Sequence, residues 1–224
     1  MEIFLNSVKK YRVLWVFTLI MLVLAIFSLG EGNSRQSLVY KDSLDKVVAT
    51  VQGEDITLLD FAVYVAYQEA EVHKQAVVYN PQNTKEYWGL HTNGKFVRIA
   101  AREAAIQMAI HDRLFFQLSL EFSVTLTEAE KAVVQEQVED FWYFLTLDGK
   151  EEALGITKQN VYDTMYQMAI AEKCQTLCAA RDGRKFEDYN FSSEDYLELL
   201  KKYPYSIKEE VLERINFGSI TLVH

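Results

Sequence analysis

Helix-breaking residues are scarce in this chain. Only 2 prolines and 9 glycines occur among its 224 residues, and we find no internal repeat and no low-complexity tract. Proline kinks or ends a helix and glycine weakens one, so their scarcity leaves room for long, uninterrupted helices. We therefore predict a mainly α-helical protein with a few short strands.

Basic residues are in the minority. The chain has 23 Lys and Arg against 32 Asp and Glu, which gives a formal net charge of −9. Nucleic acids and anionic lipid headgroups are both bound through basic patches. The charge therefore argues against a nucleic-acid partner, and it would keep a membrane-tethered domain soluble.

Cysteine occurs only twice, at Cys174 and Cys178. The two residues lie four positions apart on a predicted helix, so their side chains point in parallel directions, which suits disulfide geometry poorly. No His or acidic cluster accompanies them to complete a metal site. We expect two small, buried structural thiols.

Catalytic motifs are also missing. The sequence has no Gly-rich phosphate loop and no His-Glu-x-x-His run. Its histidines are scattered over separate elements: His73, His91, His111 and His224. Successive helix residues such as His111 and Asp112 are not expected to face one another, and Glu69 is expected to be solvated. We predict no catalytic residue, no metal site and no cofactor.

One long apolar run lies near the N-terminus. Residues 13–30 form an uncharged stretch of 18, directly preceded by Lys9, Lys10 and Arg12. At about 1.5 Å per helical residue, this stretch approaches the length that spans a bilayer core of about 30 Å. Because basic residues tend to stay cytoplasmic, we predict a single-pass anchor in the cell membrane, with a cytoplasmic N-terminus and an extracytoplasmic remainder. The alternative is a signal peptide cleaved after Gly30.

Composition and periodicity divide the rest of the chain. After the stub and anchor at 1–30, the sequence predicts a polar linker at 31–45 and a helical domain at 46–183. The C-terminal region, 184–224, should pack on that domain as a helix followed by a hairpin.

Local patterns give the elements of the helical domain. Beta-branched residues on both sides of Gln52-Gly53 predict a hairpin over 47–56. Thr57 with Asp60, and Thr127 with Glu130, are spaced as capping pairs that open helices. The predicted helices run over 57–79 and 96–122 and then from Thr127 and from Thr157 onward.

The C-terminal region has a different pattern. Ser193 should cap a helix that runs to about Tyr203, because Pro204 cannot continue it. The apolar alternation beyond predicts two short strands, Val211–Ile215 and Ser219–Val223. This hairpin could pair with 47–51 or offer an edge to a partner.

The order of these elements is itself informative. The hairpin VVATVQGEDIT runs straight into the helix LLDFAVYVAYQ, and a Trp-bearing loop and later helices follow. Ile56-Thr57 forms the helix entry, and Val124 to Glu130 forms a later junction, with Ser123 where glycine is usual. Over roughly 46–178 the chain resembles the N-terminal chaperone region of the SurA/PrsA/trigger-factor-like family of secreted foldases. The resemblance implies binding of unfolded or newly exported polypeptides without a cofactor.

The chain departs from that family in one respect. Many members carry a parvulin-type prolyl isomerase domain of about 90 residues after these helices, whereas only 46 residues follow Cys178 here. The His-bearing first strand and Gly-rich segments of that domain are also missing. The resemblance therefore implies a chaperone, and we do not expect isomerase activity.

Aromatic residues are plentiful, with 13 Phe, 13 Tyr and 3 Trp. Several occupy neighbouring helix positions, so rings project from more than one face. Either tertiary packing covers them all, or some line a concave apolar groove that accepts exposed hydrophobic segments. With only five residues, methionine is expected to add little. The candidate peptide-binding residues are Tyr64, Tyr67, Trp88, Phe115, Phe116, Phe141, Trp142 and Tyr143.

These observations predict a membrane-anchored extracytoplasmic chaperone whose partners are unfolded polypeptides and, through its N-terminal helix, the lipid bilayer. The alternative is a structural or assembly subunit of a cell-envelope complex whose groove is filled by one dedicated partner. The sequence leaves open whether the chain forms a homodimer.

Overall fold

The computed structural model describes residues 37–222. The anchor expected at 13–30 and His224 lie outside this range. Within it the strands are β1 (Val47–Val51), β2 (Glu54–Thr57), β3 (His91–Thr92), β4 (Lys95–Phe96) and β5 (Tyr205–Ile207). The helices are α1 (Leu58–Tyr79), α2 (Thr84–Trp88), α3 (Val97–Glu121), α4 (Glu128–Thr146), α5 (Lys150–Leu154), α6 (Lys158–Arg181), α7 (Glu194–Leu200) and α8 (Glu209–Leu212).

The prediction of a mainly helical fold with short strands is confirmed. Of the helices within residues 37–222, none combines the length and the apolar character of a membrane span.

Three long helices begin where the sequence places them. Thr57, Thr127 and Thr157 each accept a hydrogen bond from the backbone N–H three residues into α1, α4 and α6. The side chain at that third position accepts the backbone N–H of the threonine in return. Such a cap satisfies backbone donors that the helix leaves unpaired and is worth about 1 kcal/mol.

Glu130 belongs both to the α4 cap and to an ion pair with Lys173 of α6, at 2.7 Å. The hydrogen bond from Lys173, together with those from Thr127, lowers the pKa of the Glu130 carboxyl from 4.5 to about 2. Because this pKa is lower in the folded than in the unfolded chain, the stabilisation is complete above pH 4.5 and is lost as the pH falls towards 2.

We therefore expect Glu130→Gln to lower the free energy of unfolding near neutral pH and to change it little near pH 2. Urea unfolding followed by circular dichroism across this pH range measures the difference. The control is Glu128→Gln, two residues earlier on α4, which removes the same charge from a side chain that is 89% exposed and should change the stability much less. An equal loss for Glu130→Gln at both ends of the range would contradict the assignment.

The long helices pack in a fixed order. Helix α3 packs along α6, α1 packs on α3, and α4 packs on α6. Ion pairs between Lys173 and Glu130 and between Lys158 and Glu139 show that α4 and α6 run antiparallel. Helices α1 and α4 therefore flank the central α3–α6 pair.

A three-stranded antiparallel sheet in the order β2-β1-β5 completes the domain. The predicted hairpin is confirmed: Val51 pairs with Glu54, and the turn residues Gln52 and Gly53 have φ values of 51° and 85°. On the other side of β1, Val51 pairs with Tyr205 of β5. The central strand thus joins chain segments that are about 150 residues apart in sequence.

The predicted C-terminal hairpin is wrong. The segment predicted as the strand Val211–Ile215 begins with the end of α8 and continues as irregular chain, and 219–222 is irregular as well. The pairing with β1 is made instead by β5, which directly follows Pro204. Backbone N–H groups at the C-terminal end of the described residues donate hydrogen bonds to a side chain of α1 and not to a second strand.

That side chain is Glu69, which is fully buried. Its carboxylate accepts hydrogen bonds from the backbone N–H groups of Gly218 (2.6 Å), Ile220 (3.3 Å) and Thr221 (2.7 Å), and from the Thr221 hydroxyl (2.6 Å). The expectation of a solvated Glu69 is therefore wrong. Its position gave a signal: it lies four residues after Val65 and three before Val72, within the apolar stripe of α1.

The predicted linker at 31–45 is too long. The folded unit begins at Leu38, whose backbone N–H donates to the Arg214 carbonyl at 2.9 Å. Tyr40 is buried, and its hydroxyl donates to the Leu58 carbonyl at 2.7 Å. Apolar side chains among polar neighbours tie this segment to the domain.

Candidate functional site

A wide groove lies between α1 and α4, above the α3–α6 pair. Its volume is about 760 Å³, within the range of about 300–1,000 Å³ typical of ligand sites. Helix packing explains the groove, because α1 packs on α3 whereas α4 packs on α6. The lining residues are Val63, Tyr64, Tyr67, Met108, Gln137, Asp140, Phe141, Phe144, Met165, Met168 and Glu172.

Three of the eight predicted residues meet in this groove: Tyr64, Tyr67 and Phe141. The Tyr67 side chain is 45% exposed, and Phe141 is half-buried. Tyr64 is buried apart from its contact with the groove. These rings come from α1 and α4, so the two walls each contribute aromatic surface.

The other five do not line the groove. Trp88 and Phe115 are core residues without open surface, so they are unsuited to binding a peptide. Phe116 lies beside Tyr166 in a different depression, and Trp142 packs against the core. Tyr143 is 66% exposed on another face of α4. The reason is geometric, since adjacent helix residues point about 100° apart.

The groove also contains residues that sequence reasoning missed. Met108, Met165 and Met168 are all the methionines of residues 37–222, and all three line it. Methionine is flexible and polarisable, so it adapts to differently shaped apolar partners. A count of methionines gave no such signal, because the information lies in where the helices bring them together.

The charged residues of the groove have one sign. Asp140 and Glu172 line it together with Gln137, and no Lys or Arg is among its described lining residues. Both carboxylates are exposed. Within residues 37–222, neither side chain takes part in an ion pair.

A buried polar network lies behind the Tyr64 wall. The Tyr64 hydroxyl donates to Asp112 Oδ2 at 3.0 Å, and Asp112 Oδ1 lies 2.8 Å from His111 Nδ1. His111 Nε2 lies 2.9 Å from the Tyr189 carbonyl. Burial, assisted by Asp112, raises the pKa of Tyr64 well above its ordinary value, so the phenol stays protonated and donates.

The expectation that His111 and Asp112 do not face one another is therefore wrong. Although the two residues are adjacent on the helix, their side chains are in hydrogen-bond contact. The network connects α1 to α3 and fixes the Tyr64 ring at the edge of the groove.

Cys174 and Cys178 are both free and buried, as predicted. The two neighbouring thiols influence each other: interaction with Cys174 lowers the pKa of Cys178, and interaction with Cys178 together with burial raises the pKa of Cys174. In the part of the chain that the structure describes, no three His, Cys, Asp or Glu side chains are grouped as metal ligands would be.

Comparisons of the chain with protein-family models, with curated proteins and with solved structures found no match.

Proposed function

We propose that this protein is a membrane-anchored extracytoplasmic chaperone that binds unfolded or newly exported polypeptides in the groove between α1 and α4. It would hold their apolar segments reversibly and without nucleotide, in the manner implied by its resemblance to the helical region of secreted foldases. The apolar run at 13–30 supports the membrane location.

The observation that carries this proposal is the composition of the groove. The described methionines converge there with Tyr67 and Phe141, which keep part of their surface open to solvent. A folded protein normally buries such side chains, so an open, largely apolar concavity of this size supports the proposal of a binding site.

The types of residue that line the groove suit a protein that binds peptides of varied sequence. Methionine side chains rearrange around differently shaped apolar groups. Tyrosine presents a rigid ring with a hydroxyl that tolerates water when the site is empty. A surface of this kind binds through burial of apolar area rather than through a fixed set of hydrogen bonds.

The test is suppression of the aggregation of a reduced secreted protein. The full chain would be reconstituted in nanodiscs of zwitterionic lipid, and light scattering would be followed at several ratios of chaperone to client. Tyr67→Ser should weaken client binding by about tenfold, because it removes one exposed ring from the groove.

Tyr143→Ser is the matched control, since it removes the same atoms from an exposed tyrosine that does not line the groove. It should leave the suppression unchanged. Equal effects of the two substitutions, or no suppression by the unmodified protein at several-fold excess, would refute the proposal. Co-purification of one partner in fixed stoichiometry would support the assembly-subunit alternative instead.

A further inference from the structure

The two acidic residues of the groove lie on different helices, Asp140 on α4 and Glu172 on α6. Asp140 directly follows Glu139, which pairs with Lys158 near the start of α6. Glu172 directly precedes Lys173, which pairs with Glu130 near the start of α4. Between these two ion pairs α6 extends about 22 Å and α4 about 14 Å at 1.5 Å per residue, so the two acids are separated along the groove.

The space between the two acids is mainly apolar. Met165 and Met168 of α6 lie there with Gln137 of α4, and the opposite wall is formed by α1. Phe141 and Phe144 continue the apolar lining beyond Asp140. The arrangement is therefore a largely apolar groove with two unpaired negative charges separated along it. An extended peptide rises about 3.3 Å per residue, so about four to seven residues span the distance.

Building on the proposed function, we infer that the groove selects apolar segments that carry a Lys or Arg at each end. Charge complementarity supports this occupant: each exposed carboxylate has room for a cation, and no basic side chain of the described lining competes for it. The chain's net charge of −9 acts in the same direction at longer range.

Peptide binding tests the inference. Three fluorescently labelled peptides would share the same apolar stretch of about six residues and would carry Lys, Gln or Glu at both ends. Fluorescence anisotropy with the full chain in zwitterionic nanodiscs gives their Kd values. We expect the Lys peptide to bind about tenfold more tightly than the Glu peptide, with the Gln peptide between them. About 1 M salt should remove most of this difference.

Variants locate the effect. Asp140→Asn combined with Glu172→Gln should weaken binding of the Lys peptide by about three- to tenfold and leave the Gln peptide unchanged. The control pair is Glu187→Gln with Glu198→Gln, which removes the same charge from exposed positions outside the groove. It should have no effect beyond a small general one.

The outcomes separate the inference from the function on which it rests. If all three peptides bind equally and Tyr67→Ser weakens them all, the chaperone proposal stands and the charge selection is overturned. If the Lys preference persists in the Asp140/Glu172 double variant, the selection does not come from this groove. If none of the peptides binds, both proposals are overturned together.

Discussion

Replacing Glu69 with alanine lowers the free energy of unfolding by about 3–5 kcal/mol, because it leaves buried donors without an acceptor. The carboxylate accepts the backbone N–H groups of Gly218, Ile220 and Thr221 and the Thr221 hydroxyl. Glu69 is fully buried, so its carboxylate satisfies these donors away from bulk solvent. The substitution also leaves a cavity inside α1.

Urea unfolding of the full chain, followed by circular dichroism at 222 nm, measures the effect. Glu71→Ala is the matched control: the same side chain is removed two residues along α1, where Glu71 forms a surface ion pair with Lys74. Such a pair contributes little, so the control should change stability by less than about 1 kcal/mol. Equal losses for the two variants would show that the buried carboxylate is not an anchor for the C-terminal segment.

Replacing Gly218 with alanine is expected to cost about 2–5 kcal/mol. Gly218 has a φ of 91°, a left-handed conformation that residues with a Cβ adopt at a cost. A Cβ there would lie 2.5 Å from Trp88 Cδ2 and 2.7 Å from Trp88 Cγ. The ring is buried in the core and cannot move aside without disturbing its neighbours, so overpacking adds to the backbone strain.

Gly183→Ala separates the two contributions. Gly183 has a φ of 66°, but a Cβ at this position would meet no atom within 4 Å. It should therefore show only the conformational cost of about 1–2 kcal/mol. Thermal unfolding gives the comparison, and near-ultraviolet circular dichroism reports on the packing of Trp88. An unaltered aromatic spectrum in Gly218→Ala, with no excess loss over Gly183→Ala, would contradict the close approach.

Local signals predicted the helical framework well. The capping pairs at Thr57 and Thr127 and the turn at Gln52-Gly53 each specify their own structure within a few residues. Hydrophobic periodicity then fixes which face of each helix is buried. Helices α1, α3, α4 and α6 could be located in this way because their determinants are close in sequence.

Tertiary contacts determined what could not be predicted. The alternating apolar residues at 211–222 are typical of strands, but Glu69 is 149 residues away from Gly218 and satisfies its backbone instead. For the same reason, Trp88 was interpreted as an exposed aromatic although Gly218 packs on its ring. The pattern of a segment does not reveal a distant side chain that replaces its strand partner.

In the groove, too, some residues could be predicted from local sequence and others depend on tertiary contacts. Tyr67 was identified as surplus apolar surface because it lies away from the main stripe of its helix. Phe141 was identified because it begins a run of successive aromatic residues whose rings point in different directions. The contribution of Met108 and Met168 depends on α3 and α6 packing side by side, and this pairing has no local signature. Rings that share a helix with Tyr67 or Phe141 could not be sorted into core, groove and outer surface until the helix neighbours were known.

The strand order β2-β1-β5 has a consequence for folding during synthesis. The middle strand is made about 150 residues before the strand on one flank, and Glu69 is likewise made about 150 residues before the segment that it holds. During vectorial synthesis the apolar faces of α1, α3 and α6 therefore emerge long before the fold can close around them. Those faces need a temporary cover until β5 and the segment held by Glu69 have been made.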